Sequence, residues 1–153
     1  MNIGVAYGLS ELILSLRLAK RDPPKLERLE CMPKVALLYA TYNDVMPEIL
    51  DALHNQSYSN CDIFVLDDST DKRCGLIVDA CGFPVIRRSS RSGFKAGALN
   101  NWLSLYGRVY DCFIILDADS LIGQDFIEEM LRYAEHPFCQ NSLFYHPLCQ
   151  LHK

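Results

Sequence analysis

Two groups of acidic residues in this sequence could bind a cation or a nucleotide. Asp67-Asp68-Ser69 and Asp117-Ala118-Asp119 each follow directly after an apolar run, and a third apolar run ends in Thr41-Tyr42-Asn43. Carboxylate oxygens are hard ligands, which suit Mg²⁺ or Mn²⁺. Such ions commonly bind through one or two carboxylates together with the phosphates of a substrate. The acids therefore predict a site for a divalent cation and a phosphate-bearing ligand.

Basic residues occupy part of the segment between the two acidic groups. Residues 87–95 contain Arg87, Arg88, Arg91 and Lys95. A short charge cluster is commonly a solvated loop, and that interpretation stays open beside a role in holding phosphate. Carboxylates that converge on one rim repel each other unless a cation or a ligand shares the site. We therefore expect a divalent ion, bridging to phosphate, to relieve the repulsion among the acids.

The elements that must position these groups are apolar runs, each followed by a helical pattern. The runs do not alternate between apolar and polar residues, which is typical of strands in a parallel sheet that is buried on both faces. We predict an α/β domain with a mostly parallel sheet of about four strands and helices on both faces. Ligands bind beyond the carboxyl ends of the strands in such sheets, so the polar groups are expected to share one edge.

Composition narrows the class of protein. The chain has 153 residues, of which half are hydrophobic and 22% are charged, so it is neither disordered nor a complete (β/α)₈ barrel. The net charge of −4 argues against nucleic acid as a partner, because such binding depends on neutralising phosphates. Seven cysteines without a C-x-x-C pair fit neither a disulfide framework nor a zinc knuckle. We expect them to be buried thiols in a reducing compartment.

The sequence pattern divides the chain into four segments. Residues 1–20 are predicted to form an amphipathic helix or the stub of a membrane anchor, because apolar residues recur there at helical spacing. Residues 21–33 are rich in proline and charge, which predicts a linker. The rhythm of strands and helices runs through residues 34–136, and residues 137–153 form an irregular tail.

Four short motifs, in this order and spacing, resemble those of the family 2 glycosyltransferases with the GT-A fold. They are Ala40-Thr41-Tyr42-Asn43, Val65-Leu66-Asp67-Asp68-Ser69, Gly93-Phe94-Lys95-Ala96-Gly97-Ala98-Leu99-Asn100 and Leu116-Asp117-Ala118-Asp119-Ser120. The chain is most similar to the donor-binding half of membrane-integrated polysaccharide synthases of the cellulose-synthase type. The resemblance implies a Rossmann-like GT-A nucleotide-binding half.

The resemblance also implies a role for each matched residue at the nucleoside end of the site. Thr41, Tyr42 and Asn43 would hold the base of a nucleotide-sugar. Asp68, with Asp67 beside it, would accept a hydrogen bond from uracil or otherwise fix the nucleoside. The implied donor is a UDP-sugar.

At the diphosphate end, Lys95 would lie close to the phosphates, and Asp117 and Asp119 would form the D-x-D pair that binds Mg²⁺ or Mn²⁺. A cation and a lysine would stabilise the charge on the departing nucleoside diphosphate. The implied reaction is inverting transfer of a hexosyl group to a growing polysaccharide or another hydroxyl acceptor. In the resembling synthases this takes place at the cytoplasmic face of a membrane, so we expect a cytoplasmic domain at a membrane surface.

Two further motifs of the family are not present in the sequence. The general base of the family is an Asp in a T-E-D-like segment downstream of the D-x-D, and the synthases add a Q-x-x-R-W motif. Inverting transfer needs such a base to take the proton of the acceptor hydroxyl. We therefore assign no catalytic residue and predict nucleotide-sugar binding ahead of catalysis. A truncation before the base, a fragment and a degenerate copy would all produce this pattern.

Two other functions remain open from the sequence. One is a non-catalytic nucleotide-binding or interaction module with the same fold. The other is a receiver-like signalling domain, which also places acids and a lysine at the ends of parallel strands. A receiver has its acid pair after the first strand, however, whereas here that strand ends in Thr41-Tyr42-Asn43.

Overall fold

The computed structural model describes residues 32–135, which form four strands and four helices. The helix predicted in residues 1–20, most of the linker and the tail lie outside the described residues. In chain order the elements are β1 (Val35–Thr41), α1 (Pro47–Leu53), β2 (Cys61–Asp67), α2 (Lys72–Ala80), β3 (Val85–Ile86), α3 (Phe94–Tyr106), β4 (Cys112–Asp117) and α4 (Phe126–Glu135).

The four strands form one parallel sheet in the order β3-β2-β1-β4. This arrangement confirms the predicted α/β fold with a parallel sheet. The register aligns the ends of the strands, since Thr41 pairs with Asp67 and Ala40 pairs with Asp117. The polar residues that follow each strand therefore meet at one edge of the sheet, which is where a ligand of an open parallel sheet binds.

Strand β1 lies in the middle of the core and explains why its sequence does not alternate. Val35, Leu37 and Tyr39 pack into an apolar cluster with α1, α2 and α4 on one face of the sheet. Ala36 and Leu38 pack into a second cluster with α3 on the other face. All five side chains are fully buried, so both faces of the strand demand apolar residues.

Helix α3 is anchored by Trp102, which is fully buried against the second face of the sheet. Its ring makes an edge contact with Phe64 of β2, with 5.6 Å between the ring centroids. This confirms the sequence-based assignment of Trp102 to the core. Among the helices of residues 32–135, none is long and apolar enough to cross a membrane.

Candidate functional site

A cavity of about 530 Å³ opens at the carboxyl ends of β1, β2 and β4. This volume lies within the usual range for a small-molecule site, roughly 300–1,000 Å³. Six of the residues predicted to bind the nucleotide-sugar or its metal line the cavity. They are Thr41, Tyr42, Asp68, Lys95, Asp117 and Asp119.

Asn43 and Asp67, the other two predicted residues, are not among the residues that line the cavity. Each forms hydrogen bonds that connect the segments at the edge of the cavity, which is called the rim below. Asn43 has a left-handed backbone (φ 59°), and its Oδ1 accepts hydrogen bonds of 2.8 Å from the backbone N–H groups of Thr70 and Asp71. Its own N–H donates to Ser69 Oγ at 3.0 Å. The loop after β1 is thereby tied to the loop after β2, and contact of Asn43 with a nucleotide stays a prediction.

Asp67 is paired within the protein. Its side chain is 1% exposed, and Arg87 Nε donates to Oδ2 at 2.8 Å. Oδ1 accepts a second hydrogen bond of 2.9 Å from the N–H of Ser69. Arg87 also donates to Asp79 at 2.7 Å, and the hydrogen bonds to Asp79 and Asp67 raise the pKa of this guanidinium. The buried carboxylate is satisfied by the fold, and its contact with a nucleoside remains a prediction.

Asp68 is held by Arg88 in a two-point ion pair. Arg88 Nε donates to Oδ1 at 2.7 Å, and Nη2 donates to Oδ2. The side chain of Arg88 is 12% exposed and that of Asp68 is 9% exposed. The hydrogen bond to Asp68 raises the pKa of Arg88. The carboxylate is thereby oriented toward the cavity that it lines. It keeps further lone pairs with which to accept a hydrogen bond from a ligand.

The arginine pairs decide between two interpretations of the basic segment and correct one expectation from the sequence. Arg87 and Arg88 belong to the rim of the cavity, because each is bonded to a carboxylate at the end of β2, and 45% of the Arg87 side chain stays exposed. The expected repulsion among the acids is also relieved without a metal ion, since Asp67, Asp68 and Asp117 each have a basic partner. The charges cancel locally because β3 lies next to β2, so that Arg87 and Arg88, which follow β3, reach the same edge of the sheet.

The loop from Arg88 to the start of α3 is built around the same guanidinium. Arg88 donates from Nη1 to the carbonyl of Ser92 at 2.6 Å and from Nη2 to that of Phe94 at 2.7 Å. Gly93 turns the chain with φ 72°. A Cβ on Gly97 would lie 2.0 Å from the Ser92 carbonyl oxygen and 2.3 Å from Arg88 Nη1, so only glycine fits at this position.

Lys95 and the D-x-D pair form the other side of the cavity. Lys95 Nζ donates to Asp117 Oδ1, and these two side chains are 45% and 68% exposed. Asp119 is exposed, lines the cavity and makes no hydrogen bond or ion pair with the residues that the structure describes. One free and one singly paired carboxylate therefore face the cavity two positions apart in the chain.

These two carboxylates fit a hard divalent cation on the chemistry of their oxygens. Within residues 32–135 no group of three or more His, Cys, Asp or Glu side chains is placed to hold a metal by itself. A cation at Asp117 and Asp119 would therefore complete its ligands with water and with phosphate oxygens of a substrate, which is the usual arrangement for Mg²⁺.

Arg91 is a cavity residue for which the sequence left a solvated loop and a role in holding phosphate both open. Its guanidinium carbon lies 3.3 Å from the ring centroid of Tyr42 and 5.0 Å from that of Phe94. It forms no ion pair with a described residue, so its charge is available to an anion. The aromatic residue in the motif at Tyr42 was the one signal in the sequence that could have pointed to a stacked arginine.

Asp44 is a second residue that sequence reasoning missed. Its Oδ1 accepts hydrogen bonds from Thr41 Oγ1 at 2.8 Å and from the N–H of Tyr42 at 2.7 Å. This cap at the end of β1 fixes the backbone on which the Tyr42 ring is carried. The short spacing of Thr41 and Asp44, three residues apart, was the available signal.

Comparison with known proteins gives a match to a family model. The model described as glycosyl transferase family 2 matches residues 38–146. This range includes all four strands except the first three residues of β1, and it includes every predicted site residue.

Curated proteins provide relatives of the same kind. The chain is 30% identical to "Glucans biosynthesis glucosyltransferase H" of Caulobacter vibrioides over 138 residues, which cover 75% of this chain and 20% of the relative. The protein of the same name from Bradyrhizobium diazoefficiens is 30% identical over 129 residues, which cover 69% of this chain and 17% of the relative. The chain thus spans about a fifth of the length of these relatives.

Solved structures share the fold. The mannosyltransferase PcManGT from Pyrobaculum calidifontis, in complex with GDP-Man and Mn²⁺, superposes with a TM-score of 0.59 at 24% identity, covering 84% of this chain and 40% of that one. S. aureus TarS 1-349, in complex with UDP, has a TM-score of 0.54 at 20% identity, covering 67% of this chain and 32% of that one. These similarities confirm the predicted Rossmann-like GT-A fold.

Proposed function

Because the chain belongs to glycosyl transferase family 2, we propose that its cavity binds a nucleotide-sugar donor, in the first place a UDP-sugar, together with Mg²⁺ or Mn²⁺. The observation that carries this proposal is that a carboxylate held by an arginine and an exposed carboxylate pair line one cavity. Asp68 lies on its wall at the end of β2, and Asp117 and Asp119 lie on its wall at the end of β4.

At the nucleoside end, the ring of Tyr42 and the carboxylate of Asp68 offer a stacking surface and a hydrogen-bond acceptor. Arg88 orients the carboxylate of Asp68, which would accept a hydrogen bond from the N–H of a base such as uracil. Arg91 lies on the Tyr42 ring and adds a positive charge that no described carboxylate neutralises. The polar groups can thus select a base while the arginine attracts the anionic ligand.

At the diphosphate end, Lys95 and the two carboxylates of the D-x-D pair would bind the phosphates. A divalent cation held by Asp117 and Asp119 would supply electrostatic stabilisation of the leaving diphosphate. Lys95 would donate to a phosphate oxygen and share in that stabilisation. Two structural neighbours support this arrangement, since one is in complex with GDP-Man and Mn²⁺ and the other is in complex with UDP.

The transferred group is proposed to be a hexosyl unit, and the acceptor a growing polysaccharide or another hydroxyl compound. The names of the longer relatives, which are glucan-biosynthesis glucosyltransferases, support glucose and a glucan. We further propose that the domain works at the cytoplasmic face of a membrane, as the resemblance to membrane-integrated synthases implies.

A second candidate is a binding module of the same fold that does not catalyse transfer. Such a module would use the same cavity and would leave the bound nucleotide-sugar intact. Release of UDP from UDP-glucose, measured with and without glucan acceptors, distinguishes the two candidates. Acceptor-dependent release supports the transferase, and binding without release supports the module.

Isothermal titration calorimetry with UDP and Mn²⁺ tests the proposed binding. We expect wild-type protein to bind UDP only weakly without Mn²⁺ and more tightly with it. Asp119→Asn should remove the effect of Mn²⁺, and Asp68→Asn should weaken binding with and without the cation. Asp51→Asn, an exposed carboxylate on α1, is the matched control and should bind as wild type does. Absence of UDP binding, or equal binding by all three variants, would refute the proposal.

A further inference from the structure

Tyr39 connects the two loops that form opposite sides of the cavity. It lies in the middle of β1 with its side chain fully buried. Its hydroxyl donates a hydrogen bond of 2.9 Å to the carbonyl oxygen of Ala118, and it accepts one of 3.2 Å from the N–H of Met46. Both partners are backbone groups of residues that line the cavity. One side-chain oxygen thus joins the loop after β4 to the loop after β1.

The bond to Ala118 acts on the metal-binding carboxylates through the backbone. Ala118 is the residue between Asp117 and Asp119, and it is 5% exposed. The turn continues with a hydrogen bond of 3.0 Å from the N–H of Ser120 to the carbonyl of Asp117. Fixing the carbonyl of Ala118 therefore restrains the peptide groups on both sides of it, which set the directions in which the two carboxylates leave the chain.

The bond from Met46 restrains the other loop. Met46 is the residue immediately before α1, and its side chain makes no capping hydrogen bond. The loop between Thr41 and Met46 carries Tyr42 and Asp44 to the cavity. The Tyr39 hydroxyl therefore helps to set the separation between the base end and the diphosphate end of the site.

We propose that Tyr39 is a positioning residue for the divalent cation, acting by holding the Asp117–Asp119 turn at a fixed place relative to the loop after β1. This inference rests on the proposed function for its ligand but on the two hydrogen bonds for its geometry. Removing a group that bonds a metal ligand directly typically changes metal affinity by roughly 10–100-fold, and because Tyr39 bonds the backbone between the two carboxylates, we expect an effect at the lower end of that range.

Tyr39→Phe is the test, because it removes the hydroxyl and retains the buried ring. Tyr58→Phe is the matched control, since Tyr58 is also a buried tyrosine (5% exposed) whose hydroxyl donates to a backbone carbonyl, that of Pro33, at 2.7 Å. In calorimetry with UDP, Tyr39→Phe should weaken the Mn²⁺-dependent binding by roughly tenfold and leave binding without Mn²⁺ nearly unchanged. Tyr58→Phe should change neither. Equal Mn²⁺ dependence in the two variants would overturn the inference.

A second measurement needs no ligand and separates this inference from the proposed function. Amide hydrogen exchange, read by mass spectrometry, should become faster at Met46 and across residues 117–120 in Tyr39→Phe, and not in Tyr58→Phe. If wild-type protein fails to bind UDP, the proposed function is refuted. The exchange result still tests whether the Tyr39 hydroxyl holds the two loops. Unchanged exchange at both loops in Tyr39→Phe would refute the positioning role whatever the ligand.

Discussion

Arg88 donates hydrogen bonds from Nε and Nη2 to the carboxylate of Asp68. It also donates from Nη1 to the carbonyl of Ser92 and from Nη2 to the carbonyl of Phe94. A single guanidinium therefore orients a cavity carboxylate and folds the loop that leads to Lys95. The two residues lie 20 positions apart in the sequence, and their side chains are mostly buried. Its loss should affect both the stability of the domain and the shape of the cavity.

Replacing this arginine should cost stability because it leaves a buried carboxylate without its partner. We expect Arg88→Met to lower the free energy of unfolding by about 1.5–3 kcal/mol, because the carboxylate loses charged hydrogen bonds but still borders an open cavity. Arg73→Met is the control, since Arg73 is 91% exposed and lies 4.0 Å from Asp71. Its effect should stay within about 0.5 kcal/mol. Urea denaturation measures both, and a loss below about 1 kcal/mol for Arg88→Met would contradict the expectation.

Gly97 and Gly75 both lie in helices, and replacing each by alanine should change the stability of the domain in opposite directions. A Cβ on Gly97 would meet the Ser92 carbonyl oxygen at 2.0 Å, whereas a Cβ on Gly75 would meet nothing within 4 Å. Gly97→Ala should therefore destabilise the domain and displace the loop before α3. Gly75→Ala should raise the free energy of unfolding by roughly 0.5–1 kcal/mol, since alanine is the better helix former. Thermal unfolding of both variants checks the sign, and a stabilising Gly97→Ala would show that the loop lies elsewhere.

Lys95 should affect cation binding and nucleotide binding in opposite directions. Its ammonium group pairs with Asp117, so it competes with a divalent cation for that carboxylate. Because the pair is substantially exposed, we expect Lys95→Gln to tighten Mn²⁺ binding to the free protein only about two- to fivefold. The same variant should weaken UDP binding in the presence of Mn²⁺, because a phosphate partner is lost.

Electron paramagnetic resonance of free Mn²⁺ and calorimetry with UDP measure these two effects. Lys34→Gln is the control, because Lys34 pairs with Asp62 at 3.3 Å, outside the cavity. It should leave both affinities unchanged. Unchanged or weaker Mn²⁺ binding by Lys95→Gln would contradict the competition, and unchanged UDP binding would contradict the phosphate contact.

Cys61 should be a slow nucleophile in the folded protein. Burial raises the pKa of its thiol to about 11 from an ordinary value of 9.0. Two pKa units reduce the thiolate fraction at pH 8 by roughly a hundredfold, and the thiolate is the reactive form. Alkylation by iodoacetamide, followed by peptide mass spectrometry, should show Cys61 reacting much more slowly in native protein than in urea. Equal rates in the two conditions would contradict the prediction.

The raised pKa of Cys61 also predicts that the free energy of unfolding falls at alkaline pH. Its folded pKa lies above the unfolded value, so its contribution is complete below about pH 9 and is lost as the pH rises toward about 11. Tyr39 and Tyr110 act in the same direction, since burial raises the pKa of both hydroxyls. Cys61→Ala should therefore show a smaller fall in the free energy of unfolding between pH 9 and pH 11 than wild-type protein.

The fold could be predicted from the sequence because burial on both faces leaves a visible pattern. A strand such as β1, covered on both sides, must be apolar at every position, and a polar residue directly after it marks the exposed edge of the sheet. The same reasoning predicted that Asp68, Asp117 and Asp119 share one edge of the sheet, and all three line the cavity there. The metal and the nucleotide themselves stay predictions.

The pairing of charges could not be predicted in the same way. Residue types and spacing identified acids at the strand ends and a basic segment, but not that β3 lies beside β2 and places Arg87 on Asp67 and Arg88 on Asp68. Repulsion among the acids was therefore overestimated. Strand order is decided by helix packing across the sheet, which no local pattern records.

The sequence by itself determined the class of fold, the edge of the sheet that carries the site and most of the polar side chains at the cavity. Only the tertiary structure decided which of them are free. It showed that Asp67 forms an ion pair with Arg87, whereas Asp119 is unpaired among the described residues. It also showed that the Tyr39 hydroxyl donates a hydrogen bond to the carbonyl of Ala118, 79 residues away in the sequence. Periodicity reports burial along one element, whereas hydrogen bonds and ion pairs depend on distances between elements that only packing sets.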